Sequence, residues 1–283
     1  MKYKDLFDKY IRPITPKPAG VEQRGSLRHP LAAVIFDVYG TLFSSGSGDI
    51  TADSDKPEKQ RAIDRLLWDH SIRLNSETVI ARLLDEIKKE HAQKQNLGIK
   101  CPEVLTHRIW MKITEINDRE TARRLTLGYE LIVNPPYPMP HLDRLLESCR
   151  ASGLKMGIIS NAQFYTPLLF PYFLGKKPRE LGFDPDLIFY SYVSGVAKPC
   201  SDMFEAAARK LEAKEITPGS VLYMGNDMLN DIYPAAETGF QTALFAGDRR
   251  SLRLRKDDPR CAHLDPDLTF DSLAGLAETI KTP

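Results

Sequence analysis

FDVYGTLF, residues 36–43, places Asp37 where the apolar run AAVIF ends, just ahead of a Gly40-Thr41 turn. AAVIFD, residues 32–37, is short, β-branched and continuous rather than alternating, which predicts a strand buried on both faces. A lone carboxylate at the end of such a strand costs free energy unless something uses or satisfies it. Tyr39, two residues further on, poses a second question: why an aromatic hydroxyl stands so close to that acid.

Outward from this stretch the pattern changes twice. SSGSGDITADSDKPEKQ (44–60) is polar and loop-like, and from Ala62 to Leu131 the apolar spacing is helical. Ile63, Leu66, Leu67 and Ile72 form one stripe, Val79, Leu83, Ile87 and His91 a second, and Ile109, Met111, Ile113 and Ile116 a third. NPPYPMP (134–140) stops this block. A helix over 141–152 follows, and sheet-like runs return as KMGIIS (155–160), LIFYSYV (187–193), SVLYMG (220–225) and QTALFAG (241–247). Helical runs at 163–173, 201–213 and 229–238 separate them. Alternating strand and helix is the signature of a doubly wound, Rossmann-like parallel sheet, an α/β class. The organisation expected is an N-terminal extension over 1–30, a core made of 31–45 and 136–283, and an inserted all-helical cap over 46–135.

Composition narrows the partners. The chain has 283 residues, 27% of them charged, and a net charge of +1, which gives no electrostatic reason to expect nucleic acid or an anionic membrane surface. MKYKDLFDKYIRP lacks the apolar centre of a signal peptide, and no segment reaches the roughly 20 apolar residues of a membrane span. Cys101, Cys149, Cys200 and Cys261 form no CxxC pair, so four reduced thiols in a cytoplasmic protein are expected.

In an open parallel sheet, ligands sit at the carboxyl ends of the strands. The residues there are Asp37 and Thr41, Ser160 and Asn161, Lys198, and Asp227 with Asp231 in MGNDMLND. The set has a chemical logic. A carboxylate can serve as a covalent nucleophile. Two further acids can hold Mg²⁺, a hard cation that takes oxygen ligands. A lysine offsets the nucleophile's charge.

FDVYGTLF, IISNA, the Lys-Pro of VAKP and GNDMLND, in this order over residues 32–247, resemble the four motifs of the haloacid dehalogenase superfamily, with the helical block matching the cap that many members insert after the first motif. The resemblance implies that Asp37 is the nucleophile, that Thr41, Ser160 and Asn161 bind the transferred group, and that Lys198 steadies the intermediate. It also implies that Asp37, the Tyr39 carbonyl and Asp227 hold Mg²⁺, with Asp231 supporting the ion.

Tyr39 departs from the phosphatases of that superfamily, which place a second Asp there as general acid. Asp-x-Tyr-Gly-Thr is similar to the 2-haloacid dehalogenases, in which the carboxylate displaces halide from carbon without acid or metal. Those enzymes take up the halide with a cap arginine; Arg61, Arg65, Arg73 and Arg82 are the candidates here. The acids Asp227 and Asp231 favour a Mg²⁺-dependent phosphatase acting on a small phosphorylated metabolite, because two close carboxylates repel unless a cation sits between them. Displacement of halide from a 2-halo acid is the alternative, and a binding or regulatory module without turnover is a third reading. The basic stretch DRRSLRLRKDDPR (248–260) is expected to be a solvated surface segment, with an anion grip as the lesser reading.

Overall fold

The computed structural model describes residues 1–46 and 56–281, so most of the polar run 44–60 lies outside the described residues. Along the chain, α1 (Lys4–Tyr10) and the two-residue β1 (Arg24–Gly25) precede β2 (Ala33–Phe36). Then β3 (Phe43–Ser45) pairs antiparallel with β4 (Pro136–Pro138), and between them run α2 (Pro57–Asp69), α3 (Ser76–Asn96), α4 (Thr106–Thr114) and α5 (Arg119–Val133). The second half alternates: α6 (Leu142–Ala151), β5 (Lys155–Ser160), α7 (Thr166–Leu174), β6 (Phe183–Tyr190), α8 (Ser191–Ser194) and α9 (Asp202–Glu212). It continues with β7 (Val221–Gly225), α10 (Tyr233–Glu237), β8 (Gln241–Phe245), β9 (Leu268–Phe270) and α11 (Leu273–Lys281).

The strands form one sheet in the order β1-β9-β8-β7-β2-β5-β6, parallel throughout except for β1, which runs antiparallel to β9 at the edge. β2 is central, between β5 and β7, and is buried at every residue, as its unbroken apolar run predicts. Its side chains alternate between two cores. Val34 and Phe36 join α6, α7 and α11 on one face, and Ala33 and Ile35 join Phe204, Leu211 and Phe240 on the other. The helices α2–α5 close around a separate apolar cluster that includes Ile63, Leu67, Leu83, Trp110 and Tyr129.

Local chemistry sets the boundaries of the cap helices. Asn75 caps α3 by accepting the Thr78 N–H at 2.8 Å, and Asp118 caps α5 through Thr121 N–H at 2.8 Å. The prolines of NPPYPMP lack the donors a continuing helix needs, so α5 ends at Val133 and the chain returns to the sheet. α1 bridges the two bodies. Asp5 pairs with Arg124 of α5, while Phe7 stacks on Tyr172 of α7 at 4.6 Å between ring centres.

Three expectations need correction. LIFYSYV is a strand only to Tyr190; Ser191 turns into α8 because its hydroxyl accepts the Ala162 N–H at 2.8 Å, and Gly195 at φ 76° closes the turn. The run 229–238 is a π-helical turn over Met228–Ile232 followed by α10, not one regular helix. Cys101 and Cys200 are not free thiols: they form a disulfide, and only Cys149 and Cys261, both buried, remain free among the described residues. The bridge joins the strap after α3 to the loop after α8. That strap runs beside the loop, with Ala197 N–H donating to Cys101 O at 2.8 Å and Glu103 N–H to Gly195 O at 3.0 Å. The pairing removes the thiol-based ground for a reducing compartment. Among the described residues no helix is long and apolar enough to cross a membrane.

Cross-linking residues 99 apart constrains the unfolded chain, by at most about 4–5 kcal/mol in the chain-entropy account. Cys101→Ser is therefore expected to lower the melting temperature and to speed hydrogen exchange at 101–106. Unchanged exchange there would show that the strap is held by its hydrogen bonds alone.

Candidate active site

Four strand ends converge as the doubly wound topology requires. Asp37 leaves β2 with its N–H bonded to Met224 O of β7 at 2.9 Å, and its carboxylate faces a cavity of about 500 Å³ between sheet and cap. The residue is only 6% exposed. Its cation is Lys198, whose Nζ donates to Asp37 Oδ1 at 2.8 Å and to Asp231 Oδ1 at 2.5 Å, with Tyr223 Oη at 3.1 Å and Ile159 O at 3.4 Å. Burial pulls the Lys198 ammonium down, but Asp231 and Asp37 outweigh it and the net shift is upward. Burial raises the Asp231 carboxyl to about 6, against the pull of Lys198 and with the help of Asp37 and Asp227.

Asp231 is completely engaged. Besides Lys198, its Oδ1 accepts Tyr223 Oη–H at 2.9 Å, and its Oδ2 accepts the N–H groups of Asn226 at 3.0 Å and Asp227 at 2.9 Å. This packing requires Gly225, since a Cβ there would lie 2.3 Å from the Asp231 carboxyl carbon. Gly40, at φ 84°, is needed for a similar reason: a Cβ would lie 2.7 Å from the Asn226 side chain.

Asp227 is engaged as well. Its Oδ1 accepts Leu229 N–H at 2.9 Å and Asn230 N–H at 3.2 Å, capping the π-helical turn. Arg255 then grips both oxygens, with Nη2 at 2.7 Å from Oδ2 and Nε at 3.1 Å from Oδ1. The stretch 248–260 is therefore not simply a solvated segment. Arg253 N–H donates to Asn226 O and Met228 N–H to Arg253 O, both at 2.9 Å, which docks it against the loop that carries Asp227, and Arg253 and Arg255 line the cavity.

The expected Mg²⁺ can be tested against these donors. Both oxygens of Asp227 and both of Asp231 already accept hydrogen bonds from N–H groups, Tyr223, Lys198 or Arg255, and two of those partners are cations. A hard divalent ion needs oxygen lone pairs facing it. This arrangement directs the Asp227 and Asp231 lone pairs at protein N–H groups and cations instead, so those two acids do not present free ligands to the ion. Among the described residues there is also no group of three or more His, Cys, Asp or Glu side chains placed to hold a metal.

The remaining expected residues divide. Asn161 lines the cavity and clasps the Lys198 backbone, accepting its N–H at 2.8 Å and donating to its carbonyl at 3.2 Å. Tyr39 also lines the cavity; its hydroxyl lies 3.2 Å from Thr166 Oγ1, and desolvation raises its pKa well above the usual phenol value. Thr41 is fully buried and donates to Asn226 Oδ1 at 3.2 Å, and Ser160 is fully buried with its hydroxyl on Asn161 O at 3.3 Å; neither lines the cavity. Arg61, Arg65, Arg73 and Arg82 do not line it either. The cap instead contributes Glu103, Glu130 and Asn134. Glu103, whose carboxyl is pushed up mainly by burial, accepts Ser191 Oγ–H and Gln163 Nε2–H. Nothing in the local sequence around Glu103 marks it as a cavity residue, while Arg255 falls in the basic stretch for which an anion grip is the lesser expectation.

A family model described as haloacid dehalogenase-like hydrolase matches residues 31–239. No curated protein matches the chain in sequence. Among solved structures, the chain resembles a 2-haloacid dehalogenase from Pseudomonas syringae pv. tomato, at 17% identity over 88% of this chain and 98% of that one, with a TM-score of 0.56. It also resembles a HAD phosphatase from Thermococcus onnurineus (17%, 89% and 98%, TM-score 0.53) and an L-2-haloacid dehalogenase from Xanthobacter autotrophicus (17%, 89% and 99%, TM-score 0.51). At such identities the likeness is one of fold.

Lys198→Met would leave Asp37 and Asp231 buried without their shared cation. Breaking a buried pair in this way costs about 3–5 kcal/mol. Asp231, already raised to about 6 by burial, loses the partner that lowers it and rises further, so stability present at low pH is lost as pH rises. Thermal unfolding of the variant and of the wild type is expected to differ more at pH 8 than at pH 5.

Proposed function

The chain belongs to the haloacid dehalogenase-like hydrolases, and on that premise we propose that it is a metal-independent hydrolase in which Asp37 attacks an electrophilic carbon of a small 2-halo carboxylate. The observation that carries this reading is the state of Asp227 and Asp231. Their oxygens are held by Arg255, Lys198 and backbone N–H groups, which supports a cleft in which these two acids serve protein cations rather than a metal, while Asp37 keeps a cation of its own in Lys198.

The chemistry then follows from charge. A phosphate ester brings about two negative charges to a carboxylate nucleophile, and its alkoxide leaving group needs a proton. Position 39 offers only a phenol whose pKa is raised and whose hydroxyl is bonded to Thr166. A 2-halo carboxylate brings one negative charge rather than two, and its halide leaves without a proton. One Asp37 oxygen displaces the halide with its bonding pair and forms an ester to the substrate carbon. Water then adds to the ester carbonyl, releasing the 2-hydroxy carboxylate and regenerating the Asp37 carboxylate, with one proton from that water leaving to solvent over the cycle. Lys198 donates to Asp37 Oδ1 and so fixes the direction of its carboxylate. Asn161 fixes the Lys198 backbone, and Thr41 fixes Asn226 beneath the cavity. Ser160 supports Asn161 from the strand end. Arg253 adds a guanidinium to the core side of the cavity, where a substrate carboxylate can meet it.

Purified protein is expected to release chloride from 2-chloropropionate at the same rate with and without EDTA, and Asp37→Asn to lower that rate by about 10⁴ or more. Turnover confined to phosphate esters and requiring Mg²⁺ would restore the phosphatase. Absence of any turnover, with Asp37→Asn leaving the protein's cellular role intact, would favour a binding module.

A further inference from the structure

Three buried or near-buried carboxylates, Asp37, Asp227 and Asp231, meet at the strand ends, and Lys198 touches only two of them. The third, Asp227, has an exposure of 6% and lies at a position where a hydrolase of this architecture can hold a divalent ion. The charge opposite it is supplied by the chain itself.

We propose that Arg255 is an internal surrogate for that divalent cation, so that the guanidinium occupies the coordination space of Asp227 and keeps the catalytic loop metal-independent. The inference rests on the metal-independent reading above and adds the residue that enforces it. The first ground is geometric. Nη2 at 2.7 Å from Oδ2, with Nε at 3.1 Å from Oδ1, is a forked grip on a carboxylate whose remaining lone pairs are taken by Leu229, Asn230 and the Asn230 side chain. The second is backbone placement. The segment carrying Arg255 is bonded to the catalytic loop on both sides of Asp227, through Arg253 N–H to Asn226 O and Met228 N–H to Arg253 O. The third is conformational: Arg255 is a non-glycine residue at φ 49°, in the left-handed region that L-residues seldom adopt. An ordinary surface pair forms between freely moving side chains and contributes little. The Arg255 side chain is itself 40% exposed, but a left-handed backbone turn docked on the loop aims its guanidinium at one nearly buried acid.

The charge arithmetic agrees. Three carboxylates against Lys198 alone leave two negative charges in the cleft, and Arg255 removes one of them without adding a ligand that must be acquired from solution. Arg255 cannot lose its proton in a protein, so the substitution is permanent, whereas a lysine in the same place could.

Removing Arg255 should therefore create a cation site where the wild type has none. The test is Mn²⁺ binding, followed by electron paramagnetic resonance and repeated as a Mg²⁺-dependent thermal shift, on wild type, Arg255→Ala, Arg255→Gln and the double variant Arg255→Ala with Asp227→Asn. Both single variants are expected to bind Mn²⁺ at least about tenfold more tightly than wild type, about 1.4 kcal/mol, and the double variant to return to the wild-type level. Arg255→Gln keeps most of the side-chain volume, so the measurement stands if the alanine variant fails to fold. Wild type binding Mn²⁺ as tightly as the single variants would overturn the proposal, as would tight binding that persists in the double variant. Neither outcome depends on turnover: chloride release by wild type in EDTA combined with no gain of Mn²⁺ by the variants would sink this inference and leave the proposed function standing.

Discussion

One ammonium group organises the cleft. Lys198 Nζ lies within 2.8 Å of Asp37 and 2.5 Å of Asp231, with all three side chains nearly inaccessible to water. Taking these charges out of water is costly, and the attraction repays it only where further hydrogen bonds satisfy the remaining lone pairs. The surrounding structure supplies them. Tyr223 and the N–H groups of Asn226 and Asp227 hold Asp231, the Met224 carbonyl fixes the Asp37 backbone, and Asn161 fixes Lys198. The requirement reaches back to the sheet. Only a parallel order that puts β2 between β5 and β7 brings the ends of these strands close enough for one lysine to serve both acids.

The cap and the C-terminal loop complete the cavity from opposite sides with opposite charge. The cap brings Glu103 and Glu130, and the segment after β8 brings Arg253 and Arg255. The strap carrying Glu103 runs alongside the loop that carries Lys198, joined by backbone hydrogen bonds and by the Cys101–Cys200 bridge. The position of the cap wall is therefore coupled mechanically to the residue that pairs with Asp37.

The sheet and its strand-end residues were legible because strands buried on both faces read as uninterrupted apolar runs, and because polar residues at their ends stand out against those runs. Asp37, Asn161, Lys198, Asp227 and Asp231 do come together, and the helical insert between β3 and β4 does have its own core. What could not be read is what those residues touch. Arg255 reaches Asp227 across 28 positions by virtue of one left-handed turn, and a run rich in both arginine and aspartate looks like solvated surface until that turn is known. Thr41 and Ser160 sit at the right strand ends, yet the fold turns both hydroxyls inward. Cys101 and Cys200 lie 99 residues apart, and only the docking of the strap shows that they meet. The end of β6 was misplaced because Tyr192 and Val193 suit a strand, while Ser191 turns the chain out of it.

The central claim is that Asp37 forms an ester to carbon without a metal. Single-turnover reaction of excess enzyme with 2-chloropropionate in H₂¹⁸O containing EDTA, followed by mass spectrometry of the peptide carrying Asp37, tests it directly. The account predicts that ¹⁸O enters the Asp37 carboxyl group and that the 2-hydroxy acid of that first turnover carries none. Label found in the hydroxy acid and absent from Asp37 would mean that water attacks the substrate itself, and would contradict the account.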